Sequence, residues 1–406
     1  MEGFLGVVRE TQRRDFRRSR TKLGSEAYRR LAYNGQMHRY EVLVRGSGCV
    51  GRSLALALGA QGLRVALLGS AEASVAQRED VRSYALNAAS VRLLRELKVW
   101  DSLPADAICP VYDIKVSGDQ AGALLEFSAW QQGVAELAFI VDAGALEQQL
   151  ATALRFSPHV QIVDAPVPAD LTALCEGRDS LQRAELGVRF ESQSYGHRAI
   201  AARLSADQAH QGVARQWFRS PDVLALLPIE KPNAGSSYGL VWSLPEQRAQ
   251  DLLAATPVEF EAALNAATGA EAGTLRLASG RSSWPLARAQ AEPVQGPGWV
   301  LLGDAAHLVH PLAGQGLNLG LADVAALAAV LAGKEAWRSA GDERLLRRFA
   351  RSRMVPNWAM GELTDGLLKV FASEAMPLRE LRNKGLSALN SVPPLKRWLT
   401  TRALGL

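Results

Sequence analysis

Tyr40-Glu41-Val42-Leu43-Val44-Arg45-Gly46-Ser47-Gly48-Cys49-Val50-Gly51 is the stretch whose reading decides the fold. An apolar run enters G-x-G-x-x-G, a helical run from Arg52 to Gln61 follows, Gly62 closes it, and Arg64 to Leu68 reads as a second strand. A strand feeding this pattern and opening a helix is the dinucleotide fingerprint. Its first glycine makes the tight turn, its second admits a pyrophosphate, and its third lets helix and strand pack closely. About twenty residues on, the second strand should end in Asp or Glu to hold the adenosine ribose. Here it ends Leu68-Gly69-Ser70, so Ser70 or water is left to make that contact.

A second stretch, Leu301-Leu302-Gly303-Asp304-Ala305-Ala306-His307, runs on through Pro311, Gly314-Gln315-Gly316-Leu317-Asn318, Gly320 and Asp323. It reads as a short strand from Trp299 to Leu302, an acid at its end, a glycine-punctuated loop and a helix beginning near Leu317. Asp304 can accept hydrogen bonds from a ribityl or ribose hydroxyl. Gly314 and Gly316 clear side chains where a flat ligand must approach, and the helix start offers unpaired N–H groups. His307 and His310 beside Asp304 have metal-like spacing, but no third histidine is near, so no metal is expected.

The 406 residues exceed what one core usually serves, so two domains are expected. No run approaches the roughly 18 apolar residues of a membrane span, and a cytoplasmic protein is expected. Cys49, Cys109 and Cys175 stand far apart, as buried free thiols would. The net charge of +5 resides in residues 1–36, where nine basic residues face four acids. This arm reads as a disordered extension or translated upstream sequence, and no nucleic-acid partner is implied.

Further along, Arg82 precedes a helix running to about Leu97, placed either to reach a phosphate or flavin edge or to form a surface ion pair. Val111 to Phe127 reads as strands and Ile140 to Leu154 as helix. Asp170 to Ser180 repeats strand, acid, glycine and turn, offering Glu176 to the same ligand region. Gly187–Phe190, Ala199–Leu204, Val213–Phe218, Val223–Pro228 and Tyr238–Leu244 form a β-rich run suited to an inserted antiparallel sheet. Residues 257–268 read as helix, and the chain beyond Asp323 is expected to be helical to its end. The fold class is thus α/β, a Rossmann-like nucleotide domain with an inserted antiparallel sheet and C-terminal helices. The nucleotide-binding segments are 40–110, 140–185 and 281–355, the β-rich substrate segments 111–139 and 186–280, and the helical end 356–406.

The Gly303–His307 motif with Pro311, Gly314-Gln315-Gly316, Asn318, Gly320 and Asp323 resembles the second flavin-binding motif of single-component FAD-dependent aromatic hydroxylases. Arg82–Leu86, Val213–Gln216, Leu226-Leu227-Pro228, Trp284-Pro285-Leu286 and Pro393–Leu399 resemble the branch that hydroxylates the ubiquinone ring precursor. The family's ribose acid is here Gly69, and its Asp-Gly pair is Glu176-Gly177. The arginine of its following helix is missing from Val141–Leu146.

The resemblance implies FAD reduced by NAD(P)H or another donor. Reaction with O₂ then gives a C4a-hydroperoxide that passes one oxygen to an electron-rich phenol, with no side-chain acid or base required. Cofactor-binding residues would be Gly46, Gly48, Gly51, Arg82, Asp304, Pro311, Gly314, Gln315, Gly316, Leu317 and Asn318. The inserted sheet would roof the substrate, with Gln216, Trp217, Leu227 and Pro228 as wall residues. A polyprenylated phenol is the expected substrate and a ubiquinone-biosynthesis complex an expected partner. The basic, apolar tail Lys369–Leu406 suits peripheral contact at the inner membrane face. Alternatives are a hydroxylase or reductase of another aromatic or lipid, or a flavin-free assembly subunit.

Overall fold

The computed structural model describes residues 40–69, 80–118, 124–269, 271–309 and 315–354. The arm 1–36, the tail 356–406, Ser70, His310, Pro311 and Gly314 lie outside them. A six-stranded sheet follows the order β16 (Gln295–Gly296), β17 (Trp299–Leu301), β9 (Ala169–Leu174), β1 (Tyr40–Arg45), β2 (Val65–Leu68) and β8 (Val160–Val163). Pairing is parallel between β1 and β2, β2 and β8, and β9 and β17. Val42, Val44, Val65 and Leu67 pack in its core against the helix Cys49–Ala60. That helix starts at Gly48 with no side-chain cap, forgoing roughly a few tenths of a kcal/mol. Burial of Leu54, Leu56 and Leu58, at about 1.5–3 kcal/mol each, outweighs the missing cap and keeps the N-terminus open.

A nine-stranded sheet follows the order β18 (His307–Leu308), β15 (Ser282–Glu292), β10 (Arg189–Ala206), β13 (Ser237–Pro245), β12 (Asp222–Ile229), β11 (Val213–Arg219), β5 (Asp113–Ser117) and β6 (Leu124–Ser128), with β14 (Leu275–Leu277) also on β10. The two expected stretches Gly187–Phe190 and Ala199–Leu204 form one strand, β10, whose register shifts between Ser194 and Arg198 around Gly196 at φ +67°. Alternation gives this sheet two faces. Tyr238, Leu240, Trp242 and Leu244 on β13 share a core with Phe260 and Leu264 of the helix Pro257–Thr268 and Ala249 of the helix Glu246–Ala254. The first of these helices carries a Thr256–Glu259 capping box, and the second is absent from the sequence reading.

A small sheet, β3 (Ser83–Leu86), β7 (Ala138–Asp142) and β4 (Ile108–Val111), completes the set. It corrects the expected helix Ile140–Leu154. Phe139, Ile140 and Val141 are strand residues, and the helix Ala143–Arg155 starts only where Asp142 caps it by accepting from Ala145 N at 2.8 Å. The segment boundaries shift as well. From 111–139, β5 and β6 join the large sheet while β7 joins the small one, and β15, placed within 281–355, pairs along β10 in the large sheet. Residues 315–332 and 343–354 are helical, with a non-helical break around Gly341. Among the described residues no helix is long and apolar enough to cross a membrane.

Candidate active site

The glycine turn has the geometry its pattern requires. Gly46 sits at φ +105°, and a Cβ there would run into the Cys175 backbone; a Cβ on Gly51 would collide with the Gly46 carbonyl oxygen. Gly48 has open space around it, so a ligand can reach the backbone at the uncapped helix start. Glu176 does end β9, but it is not offered to a ligand. It accepts from Arg45 Nε at 2.8 Å and Ser180 Oγ at 2.6 Å, while Arg45 Nη1 donates to Gln182 Oε1 at 2.6 Å. Burial disfavours its charge, yet the Ser180 and Arg45 hydrogen bonds leave its carboxyl below the usual range. Glu176 thus fastens β1 to the helix Leu181–Glu185.

In the second motif two acids play separate parts. Asp304 lies in a 3₁₀ turn after β17 with its side chain exposed, and no side-chain hydrogen bond holds it among the described residues. Though open to the cavity, the carboxyl has enough protein around it to raise its pKa, an effect that His307, Arg178 and Arg82 partly offset. Asp323 is fully enclosed. It accepts from Gly303 N at 3.0 Å, pairs with His307 Nε2 at 2.7 Å and accepts from Arg353 Nε at 2.6 Å. Burial opposes both charges of the His307–Asp323 pair. Their mutual attraction prevails, so the imidazole is raised and the carboxyl lowered. Asp323 therefore clamps the loop from which Asp304 projects.

The helix Gln315–Ala332 starts two residues earlier than its sequence suggests. Gly316 and Leu317 stand in its first turn beside Asp304, where N–H groups have no partner four residues back. The Asn318 amide serves as a strut beneath the helix start. Its Oδ1 accepts from Asn87 N at 3.1 Å and Ser90 Oγ at 2.7 Å, and its Nδ2 donates to Ala85 O at 2.8 Å. Arg82 forms the ion pair of its two alternatives. It binds Asp80 at 2.7 Å and approaches Glu147 at 3.5 Å, yet its half-exposed side chain also lines the cavity.

That cavity, of about 480 Å³, lies between the motif and the uncovered face of the large sheet. Arg82, Arg178 and Asp304 mark one part of it. Leu227, Val241, Trp284 and Leu286 form apolar wall, and Ala201, Ala225 and Gly239 are short enough to leave it room. Of the expected wall residues only Leu227 lines it. Trp217 and Pro228 are corrected by strand alternation: Trp217 packs in the helix-covered core, and Pro228 pairs with Tyr238 of that same core. Gln216 is paired with the lining residue Ala225 and shares its face, but is not itself part of the wall. Trp284, Pro285 and Leu286 were legible as a motif, and their strand position opposite β10 is what makes them wall.

One Cys-His-Glu group, Cys109, His210 and Glu230, brings its ligand atoms within 4.8 Å of one another. Gly212 N donates to His210 Nδ1 at 3.0 Å. A neutral imidazole accepting there carries its proton on Nε2, where a metal would need a lone pair, so these residues do not suit one. Cys49, Cys109 and Cys175 are all free and buried.

A family model described as "FAD binding domain" matches residues 39–162 and 115–363. The ubiquinone hydroxylase UbiL of Rhodospirillum rubrum is 30% identical over 392 residues, covering 90% of this chain and 89% of its own. The 3-demethoxyubiquinol 3-hydroxylase of Escherichia coli is 31% identical over 398 residues, covering 90% of this chain and 98% of its own. Crystalline PqsL of Pseudomonas aeruginosa superposes with a TM-score of 0.71 at 21% identity, covering 86% of this chain and 99% of that one. Sequence match, glycine turn and second motif agree: the chain belongs to the FAD binding domain family and is an FAD-dependent monooxygenase akin to the ubiquinone hydroxylases.

Proposed function

We propose that the protein hydroxylates the aromatic ring of a polyprenylated phenol intermediate of ubiquinone biosynthesis, with O₂ and NAD(P)H or another electron donor as co-substrates. The observation that carries this reading is the single cavity wall shared by the flavin motif and an apolar sheet face. Two relatives with matching coverage are named for ubiquinone-type substrates.

FAD would supply the activation of oxygen. Gly46, Gly48 and Gly51 would take its pyrophosphate at the uncapped helix start. Asp304, with no hydrogen bond among the described residues, would accept from its ribityl hydroxyls. Backbone N–H groups at Gln315, Gly316 and Leu317 would face the ring system and favour negative charge there. Arg82 would meet its edge, and Pro311 and Gly314 keep the roles that the motif implies. Leu227, Val241 and Trp284 would orient the phenol and exclude water from the reacting atoms. No acid or base of the wall need move a proton for an activated ring to be attacked. The open glycine turn argues against a flavin-free subunit. Peripheral membrane contact and assembly with other biosynthetic proteins remain part of the proposal through the tail 369–406. Liposome flotation of the full chain and of a tail-deleted form tests the former, and equal, negligible binding by both would exclude it.

The deciding experiment is quinone-intermediate profiling in a deletion strain. Accumulation of one under-hydroxylated intermediate, reversed by the gene, is expected and identifies the ring position. A normal quinone profile would sink the assignment.

A further inference from the structure

Gly69 occupies the strand tip where the dinucleotide fingerprint has its ribose-binding acid. The structure gives a steric reason. A Cβ built on Gly69 would lie 2.5 Å from Ser47 Oγ and 2.6 Å from Ser47 Cβ. The Ser47 side chain therefore fills the volume through which a residue at position 69 would leave the backbone. Gly69 is held in that position, since its N–H donates to Val163 O of β8 at 3.3 Å, and Arg45 and Leu68 are register partners just before the two residues. Ser47 itself lies between the first two glycines of the turn. It is partly exposed, and its hydroxyl makes no hydrogen bond among the described residues. Absence of the acid and presence of a hydroxyl in its space are thus one feature, not two.

We propose that the Ser47 hydroxyl, reaching from the glycine turn into the space above Gly69, holds the adenosine ribose of FAD in place of a strand-end carboxylate. A carboxylate can accept from both ribose hydroxyls and brings a charge. A serine hydroxyl makes one neutral hydrogen bond, as donor or acceptor. The adenosine end is then held by a weaker contact, and most of the cofactor's affinity rests on the pyrophosphate turn and the Asp304 end. The inference rests on FAD binding by this chain, which the wild-type titration checks first.

The test is a titration of refolded or flavin-stripped full-length protein, wild type and Ser47→Ala, followed by quenching of flavin fluorescence. Two ligands are used: FAD, and an FAD analogue whose adenosine ribose is replaced by 2′,3′-dideoxyribose. Alanine keeps the Cβ against Gly69 and removes only the hydroxyl. Ser47→Ala is expected to weaken FAD about 3–10-fold, the range of one neutral hydrogen bond. With the analogue, variant and wild type should bind within about twofold of each other, because the partner hydroxyls are gone. Equal affinity of the two proteins for FAD would overturn the proposal, and so would a loss that persists undiminished with the analogue. Wild-type protein that fails to bind FAD at all would instead count against the cofactor assignment.

Discussion

Asp304 and Asp323 are both carboxylates of one motif, and isosteric Asn substitutions should separate them sharply. Asp323 is buried and accepts from Gly303 N, His307 Nε2 and Arg353 Nε at 3.0, 2.7 and 2.6 Å. An asparagine there has one acceptor oxygen and turns an NH₂ group toward donors. The buried imidazole loses its counter-charge, and Arg353 loses one of its acceptors. Breaking a buried pair in this way costs about 3–5 kcal/mol, which for a protein of this size is a fall in melting temperature of about 4–6 °C. Asp304 has no hydrogen-bonded partner among the described residues, and the protein around its carboxyl already disfavours its charge. Asp304→Asn should change apoprotein stability by no more than about 0.5 kcal/mol, while FAD affinity falls at least tenfold. Thermal unfolding of the flavin-free proteins, followed by tryptophan fluorescence, reads the first quantity, and fluorescence titration with FAD reads the second. The reasoning fails if Asp304→Asn melts as low as Asp323→Asn, or if Asp304→Asn retains wild-type affinity for FAD.

Three further outcomes are expected. The His307 imidazole is raised above its ordinary 6.5, so its contribution to stability is complete below that pH and lost as pH rises through the raised value. Asp323 is lowered from 3.8, so its contribution is present above that pH and lost as acid takes it below. The melting-temperature gap between wild type and His307→Gln should therefore shrink steadily on the alkaline side; a gap that stays flat from about pH 6 to 10 would contradict the pairing. Burial pushes the Cys49 and Cys109 thiols up to about 12 and raises Cys175 as well. A thiol reagent at pH 8 should label none of the three until denaturant is added, and rapid labelling of native protein would refute their enclosure. Leu227→Trp should narrow the cavity and cut substrate-dependent oxygen uptake at least tenfold with FAD content unchanged. Trp217→Ala, on the other face, should cost about 3–5 kcal/mol of stability, and the reverse pattern would exchange the two faces.

The βαβ unit, the two flavin-type motifs and most strands of the large sheet were readable in the chain because their signals are local. A glycine at a required turn, an alternation of period two and a capping box such as Thr256–Glu259 are each written within a few residues. The same local reading erred where two periods compete. Ile140 and Val141 fit a helix by spacing but extend β7, because β3 and β4 stand ready on either side to accept them.

Alternation showed that β11 and β12 have two faces, yet only packing decided which face meets the cavity. The helices Glu246–Ala254 and Pro257–Thr268 cover one side and thereby take Trp217 out of the site. The tertiary structure also assigned the polar residues. Glu176 and Arg45 meet across 131 positions, Asn318 and Asn87 across 231, and His307 and Asp323 across 16. Sequence by itself determined that this chain carries a nucleotide fold and the residue types of an FAD site. Which of those residues remain free for a ligand was settled only in three dimensions, since a side chain's availability depends on partners that folding brings from far along the chain.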